Sequence, residues 1–188
     1  MKIQCLSMLI LLLSLACGDK AGSTNSAPDS NLQLGNAFVD AFYSFDRDSP
    51  GALLIAADDT RPGILYYQGW AEGGNYGILT RHPCVKKDDS VTICPVTVKD
   101  DLIQALELEE WVTDTFHITI VTDRIIAVAT SSNDPDLYYE ARDWVRANMP
   151  ELIDEPCQGM WSDGETPGDC VRAMVAGYRE FMASRRLE

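Results

Sequence analysis

Few residues of this chain have the types and spacing that chemistry needs. The carboxylate of most interest is Asp114, at the head of the stretch DTFHITIV. In an extended strand successive side chains alternate between faces. Asp114 therefore shares a side with Phe116, Ile118 and Ile120, while Thr115, His117 and Thr119 share the other. The apolar side is expected to face inward. An acid held there beside aromatic rings has a raised pKa and can act as a general base; the plainer expectation is that Asp114 merely ends its strand in water. Tyr66, Tyr67 and Trp70 supply the second group. On one helical side they can stack on a flat apolar ligand and donate hydrogen bonds, or fill the core. Tyr67, Trp70 and Asp114 are thus the candidate ligand-binding residues, and Asp114 is the one candidate for catalysis.

The remaining polar residues point away from chemistry. The chain has two histidines. His117 falls on the polar strand side, His82 precedes Pro83 in an unrelated segment, and no carboxylate is spaced with either, so a histidine metal site is not expected. The acid pairs Asp58–Asp59, Asp88–Asp89 and Asp100–Asp101 follow no calcium-loop pattern, nor does Asp163-Gly164-Glu165 with Asp169. Solvated turns and helix caps are their expected use. The sequence contains no nucleophile elbow, phosphate loop, dinucleotide fingerprint or HExxH, and it implies no metal and no cofactor.

Location is written at the N-terminus. MKIQCLSMLILLLSLAC has a basic start at Lys2, an apolar run over Ile3–Leu13, and small residues leading to Cys17. This is the layout of a secretory signal, and the run is shorter than the ~20 apolar residues of a membrane span. The cysteine after small residues resembles the lipobox of bacterial lipoproteins. That resemblance implies a signal peptide over 1–16, lipidation of Cys17, and an exported protein anchored in the cell envelope by its acyl chains. Position 18 is Gly, so nothing resembles the aspartate signal for inner-membrane retention; the expected site is the outer membrane if the host has one. Residues 17–29 are small and polar and read as a flexible tether. One domain follows over 30–188.

The chain carries 15 Lys+Arg against 29 Asp+Glu, a formal net charge of −14. Such a surface repels phosphate backbones and anionic headgroups. Nucleic acid is therefore not an expected partner, and the membrane is reached through the lipid alone. Four cysteines remain after Cys5 and Cys17: Cys84, Cys94, Cys157 and Cys170. An even number in an exported chain reads as disulfides, with three connectivities open. PCVKKDDSVTIC reads as a hairpin that sets Cys84 opposite Cys94. Cys157 and Cys170 then close the loop between them. Neither pair has zinc-knuckle spacing.

These residues need elements to position them. Leu34, Phe38, Phe42 and Phe45 recur at helical spacing from a start near Ser30. A short helix is expected around 52–57. A third starts near Pro62, with Leu65, Tyr66, Tyr67 and Trp70 as its apolar side. From about Leu79 the period becomes two: VTICPVTVKDD, LIQALELEEW, DTFHITIV and RIIAVATSS read as strands, with Thr122–Asp123 as a tight turn. Asp134 is the expected N-cap of a long helix, and Thr166 with Pro167 opens the last one. Helices, then antiparallel strands, then helices give an α+β fold.

FVDAFYSFD, CPVTVKDDLIQAL and DTFHITIVTDRIIAV, within residues 30–150, resemble segments of the SnoaL-like, or nuclear transport factor two-like, superfamily. The resemblance implies a cone-shaped curved antiparallel sheet with N-terminal helices covering a pocket. The helical extension from about 151 is additional to that fold. The superfamily includes isomerases, cyclases, dehydratases and members without known activity, so fold alone does not choose among them. The first expectation is an envelope protein that binds a small apolar ligand or acts as an accessory, without catalysis. The alternatives are an isomerase- or cyclase-type enzyme using the pocket carboxylate, and a structural protein that forms a homodimer through the outer sheet face.

Overall fold

The computed structural model describes residues 29–109, 111–158 and 168–187. The signal peptide, Cys17, most of the tether, Asp163-Gly164-Glu165 and the Thr166–Pro167 helix start lie outside the described residues. The architecture is mixed α+β, with an open antiparallel sheet of five strands and several helices.

Helix α1 (Ser30–Phe42) begins where the Asp29 side chain accepts from the Asn31 amide, the N-cap role of a short acid. It buries Phe38, Val39 and Phe42. Phe45 lies beyond its end with φ of 57° and still packs on the core. Helix α2 (Asp48–Leu53) starts earlier than the expected 52–57. The Asp46 carboxylate accepts from the Asp48 amide and the Ser49 hydroxyl and so fixes the turn that leads into α2.

Helix α3 (Arg61–Gly73) carries Pro62 in its first turn, as its missing N–H permits. Its buried line is Ile64, Gln68 and Ala71, with Trp70, while Leu65, Tyr66 and Tyr67 are half-buried. Gln68 donates through Nε2 to the carbonyls of Phe42 at 2.8 Å and Ala41 at 3.3 Å. It thereby satisfies orphan acceptors at the end of α1, a use that hydrophobic periodicity does not reveal.

The sheet runs β1 (Gly77–Arg81), β3 (Val91–Lys99), β4 (Val112–Val121) and β5 (Arg124–Ser131) in that order, with β2 (Val85–Lys86) also paired to β3. The alternation is regular in the centre: Cys94, Val96 and Val98 of β3 and Val112, Asp114, Phe116, Ile118 and Ile120 of β4 are buried. Thr122 and Asp123 both have positive φ, 48° and 57°, as a two-residue hairpin turn demands. Register slips occur at Ile78/Thr80 and at Thr119/Ile120.

LIQALELEEW is not a strand. Asp100 accepts from the Ile103 amide at 2.8 Å and caps α4 (Asp101–Ala105), which buries Leu102 and Ile103. A strong cap outweighed the alternation. Helix α5 (Asp136–Asn148) has Pro135, not Asp134, at its N-cap position. The Asp134 carboxylate is instead taken by Ser132 and Tyr139. After α6 (Pro150–Ile153), α7 (Gly168–Arg185) buries Val171, Met174, Val175, Tyr178 and Phe181. It packs against α3, α4, α5 and α6, so it belongs to the same core as the rest.

Two disulfides join the expected pairs. Cys84–Cys94 spans the β2–β3 hairpin, whose register sets Val85 opposite Ile93. Cys157–Cys170 ties the segment after α6 to the first turn of α7.

Candidate functional site

The site is assembled from the inward parity of β4, the end of α1 and one side of α3. Pairing of Val96 with Asp114 fixes β4 against the central strand, and alternation turns the carboxylate inward, where it is 2% exposed. Tyr43, the residue that ends α1, donates its hydroxyl to Asp114 Oδ2 at 2.9 Å. Tyr67 of α3 lies near the same carboxylate and, like Tyr43, favours its charged form. Rings close around the group: Phe42 lies 4.9 Å from Phe116 and 5.3 Å from Tyr67, centroid to centroid, and Tyr43 lies 6.1 Å from Phe116.

Burial raises the Asp114 carboxyl to about 6, against the lowering effect of Tyr67 and Tyr43. The same burial, together with the adjacent carboxylate, holds both phenols well above their ordinary range. They are donors, not acids. Asp100, the cap of α4, is also pushed up, to about 7, chiefly by burial.

A cleft of about 390 Å³ opens beside this cluster, between α3, the end of β5 and the start of α5. Its walls are aromatic: Tyr67 and Trp70 from α3, Tyr76, and Tyr138 and Tyr139 from α5. Its rim is polar, made by Thr130, Ser131, Ser132 and Asp134. Asp134 Oδ2 accepts from the Ser132 hydroxyl at 2.5 Å and the Tyr139 hydroxyl at 2.9 Å. Asp114 does not line the cleft. Tyr67 is the link, since it lines the cleft and also neighbours the acid.

Of the expected residues, the structure brings Tyr67 and Trp70 into one cleft and sets Asp114 behind Tyr67. His117 bonds Ser131 and His82 bonds Thr97, each at 3.0 Å through Nε2 on exposed surface. Asp88 accepts from the Ser90 and Val91 amides and serves the β2–β3 turn. Sequence reasoning missed Tyr43, Tyr76, Tyr138 and the cleft position of Asp134. Tyr43 stands one residue off the Phe38–Phe42 stripe, and only the strand partner tells why a phenol belongs there. Tyr138 carried a readable signal, being one turn before Ala141 and Arg142 on the same helix face.

No protein-family model, curated protein or solved structure matches the chain.

Proposed function

We propose that this is a lipid-anchored cell-envelope protein whose SnoaL-like cone domain binds a small ligand without catalysis. One observation carries the reading: the aromatic cleft is open while the only inward carboxylate of β4 is sealed. Asp114 is 2% exposed, accepts from the Tyr43 hydroxyl and has Tyr67 beside it, which suits a structural anchor better than a base that must meet substrate. The cleft's ring walls and polar rim suit a flat or compact ligand, mostly apolar with one polar end. The cone reading rests on the resemblance of FVDAFYSFD, CPVTVKDDLIQAL and DTFHITIVTDRIIAV, and the register slips at Ile78/Thr80 and Thr119/Ile120 support it, since such slips bend a sheet. The anchor rests on the segment ending in Ala16–Cys17.

Native mass spectrometry of the purified full chain is expected to find a co-purified small molecule. Trp70→Ala should remove it while both disulfides and the fold persist; retention of the molecule by that variant refutes the cleft as its site. Cys17→Ser should abolish acylation and leave precursor uncleaved, and normal maturation of that variant refutes the anchor.

One observation favours a second reading. Tyr67 joins Asp114 to the cleft, an arrangement in which a phenol polarised by a carboxylate faces a ligand. In an isomerase- or cyclase-type enzyme this pair would carry the proton. Under that reading Asp114→Asn removes turnover and leaves ligand affinity nearly unchanged; under the binding reading there is no turnover to remove.

A further inference from the structure

The character of the cleft narrows its ligand. Five aromatic side chains and one carboxylate line it, and among the described residues no Lys, Arg or His does. Tyr67, Trp70 and Tyr138 come from two different helices, so their rings bound the space from more than one side. Asp134 is the acid that lines it, and its Oδ2 accepts from the Ser132 and Tyr139 hydroxyls. Negative ring faces and the Asp134 carboxylate therefore bear on one space of about 390 Å³. That is the environment in which a desolvated cation is held, by ring quadrupoles and a nearby charge. An anion would meet the opposite. One wall ring already holds a cation in this way: Arg142 lies 5.1 Å from the centroid of the Tyr139 ring, and its charge is matched by Asp143 at 3.0 Å.

We infer that the cleft between α3, β5 and α5 binds a small organic cation, an ammonium group seated among Tyr67, Trp70, Tyr76 and Tyr138 with Asp134 at its mouth. The inference rests on the ligand-binding reading above and adds the charge of the ligand. A polyol would also stack on the rings and donate to Asp134, but it brings no positive charge for the ring faces to hold. The volume admits a head of choline size with room to spare. A quaternary ammonium occurs on free solutes and on phosphatidylcholine headgroups; free choline against phosphatidylcholine vesicles separates the two sources.

The test uses the full chain in a maltoside detergent and isothermal titration at pH 8. The probes are choline and its uncharged isostere 3,3-dimethylbutan-1-ol, which has the same shape without the charge. Choline is expected to bind about tenfold tighter than the isostere, the range of a desolvated cation–π site. Asp134→Asn should cost choline about fivefold and leave the isostere unchanged, and Asp134→Glu should restore most of the loss. A melting curve for each variant separates misfolding from lost recognition. Should Asp134→Asn misfold, the choline-to-isostere ratio on the wild type decides alone. Equal or tighter binding of the isostere overturns the inference. So does binding to phosphatidylcholine vesicles with none to free choline. Ligand-observed NMR with neutral and anionic fragments separates the two claims. A neutral fragment in the cleft, with choline silent, overturns the cation and leaves the binding reading standing. A cleft that takes no fragment of any charge overturns both.

Discussion

Asp114 shows how one residue can be placed by parity and then defined by neighbours that parity does not predict. In the folded state its carboxyl lies at about 6, against 3.8 for an ordinary aspartate. The folded chain therefore binds this proton more tightly than the unfolded chain. Stability from this group is fully present below about pH 4 and is lost as pH rises through about 6. Asp100, at about 7, acts in the same direction over a slightly wider window. Each pKa unit corresponds to about 1.4 kcal/mol, so Asp114 contributes a difference of up to about 3 kcal/mol between the two limits. Asp114→Asn is expected to flatten the fall in unfolding free energy between pH 4.5 and pH 8. Urea unfolding at those two pH values checks it. An unchanged slope would mean that the carboxyl is solvated in solution.

At the scale of elements, the helical layer depends on close approach as much as on apolar stripes. A Cβ at Gly177 of α7 would lie 2.6 Å and 2.7 Å from the two methyl carbons of Val145 on α5. Valine is stiff at χ1 and cannot swing away. Gly177→Ala would gain about 0.5–1 kcal/mol of helix propensity. It is nevertheless expected to destabilise by about 1–3 kcal/mol, because the two helices must separate. Chemical denaturation of the variant measures the sign; a stabilised protein would show that α5 and α7 have room to spare. The same interface holds Tyr138 and Tyr178, whose rings lie 5.5 Å apart, so separation of the helices would also loosen the cleft wall. Tyr178 donates to the Tyr138 carbonyl at 3.1 Å, which pins that wall from behind.

For the whole molecule, the dominant number is the net charge of −14. Acids outnumber bases nearly two to one, and the resolved ion pairs between side chains are at half-exposed or exposed positions, where each contributes little. Self-repulsion is then a general destabilising load at pH 8. Raising sodium chloride from about 10 mM to about 500 mM shortens the screening length from about 30 Å to about 4 Å. The thermal midpoint is expected to rise over that series. A falling midpoint would show that favourable pairs outweigh the repulsion. The outer sheet face stands apart from this acidic balance. Val91, Ile93, Pro95, Thr115, His117 and Thr119 alternate with the buried residues of β3 and β4 and include no acid.

What the sequence determined by itself was what local rules govern. Period two made β4 and β5, turned Asp114 inward and left Thr122–Asp123 between two alternating runs as the turn; a ten-residue separation and a polar turn paired Cys84 with Cys94. The α+β order followed from the change of period along the chain. Local rules failed where two signals competed. At 101–105 the cap at Asp100 prevailed over alternation, and at 134–136 a side-chain pair with Ser132 and Tyr139 drew Asp134 from capping. The site itself was decided only by tertiary structure. Tyr43, Tyr67 and Asp114 are far apart in the chain and meet because α1 and α3 both pack on one side of β4. Tyr76, Asp134 and Tyr138 share a cleft because α3 and α5 both pack on α7. Hydrophobic periodicity records which side of an element is buried. It does not record which buried sides face one another, and a binding site is made of that second fact.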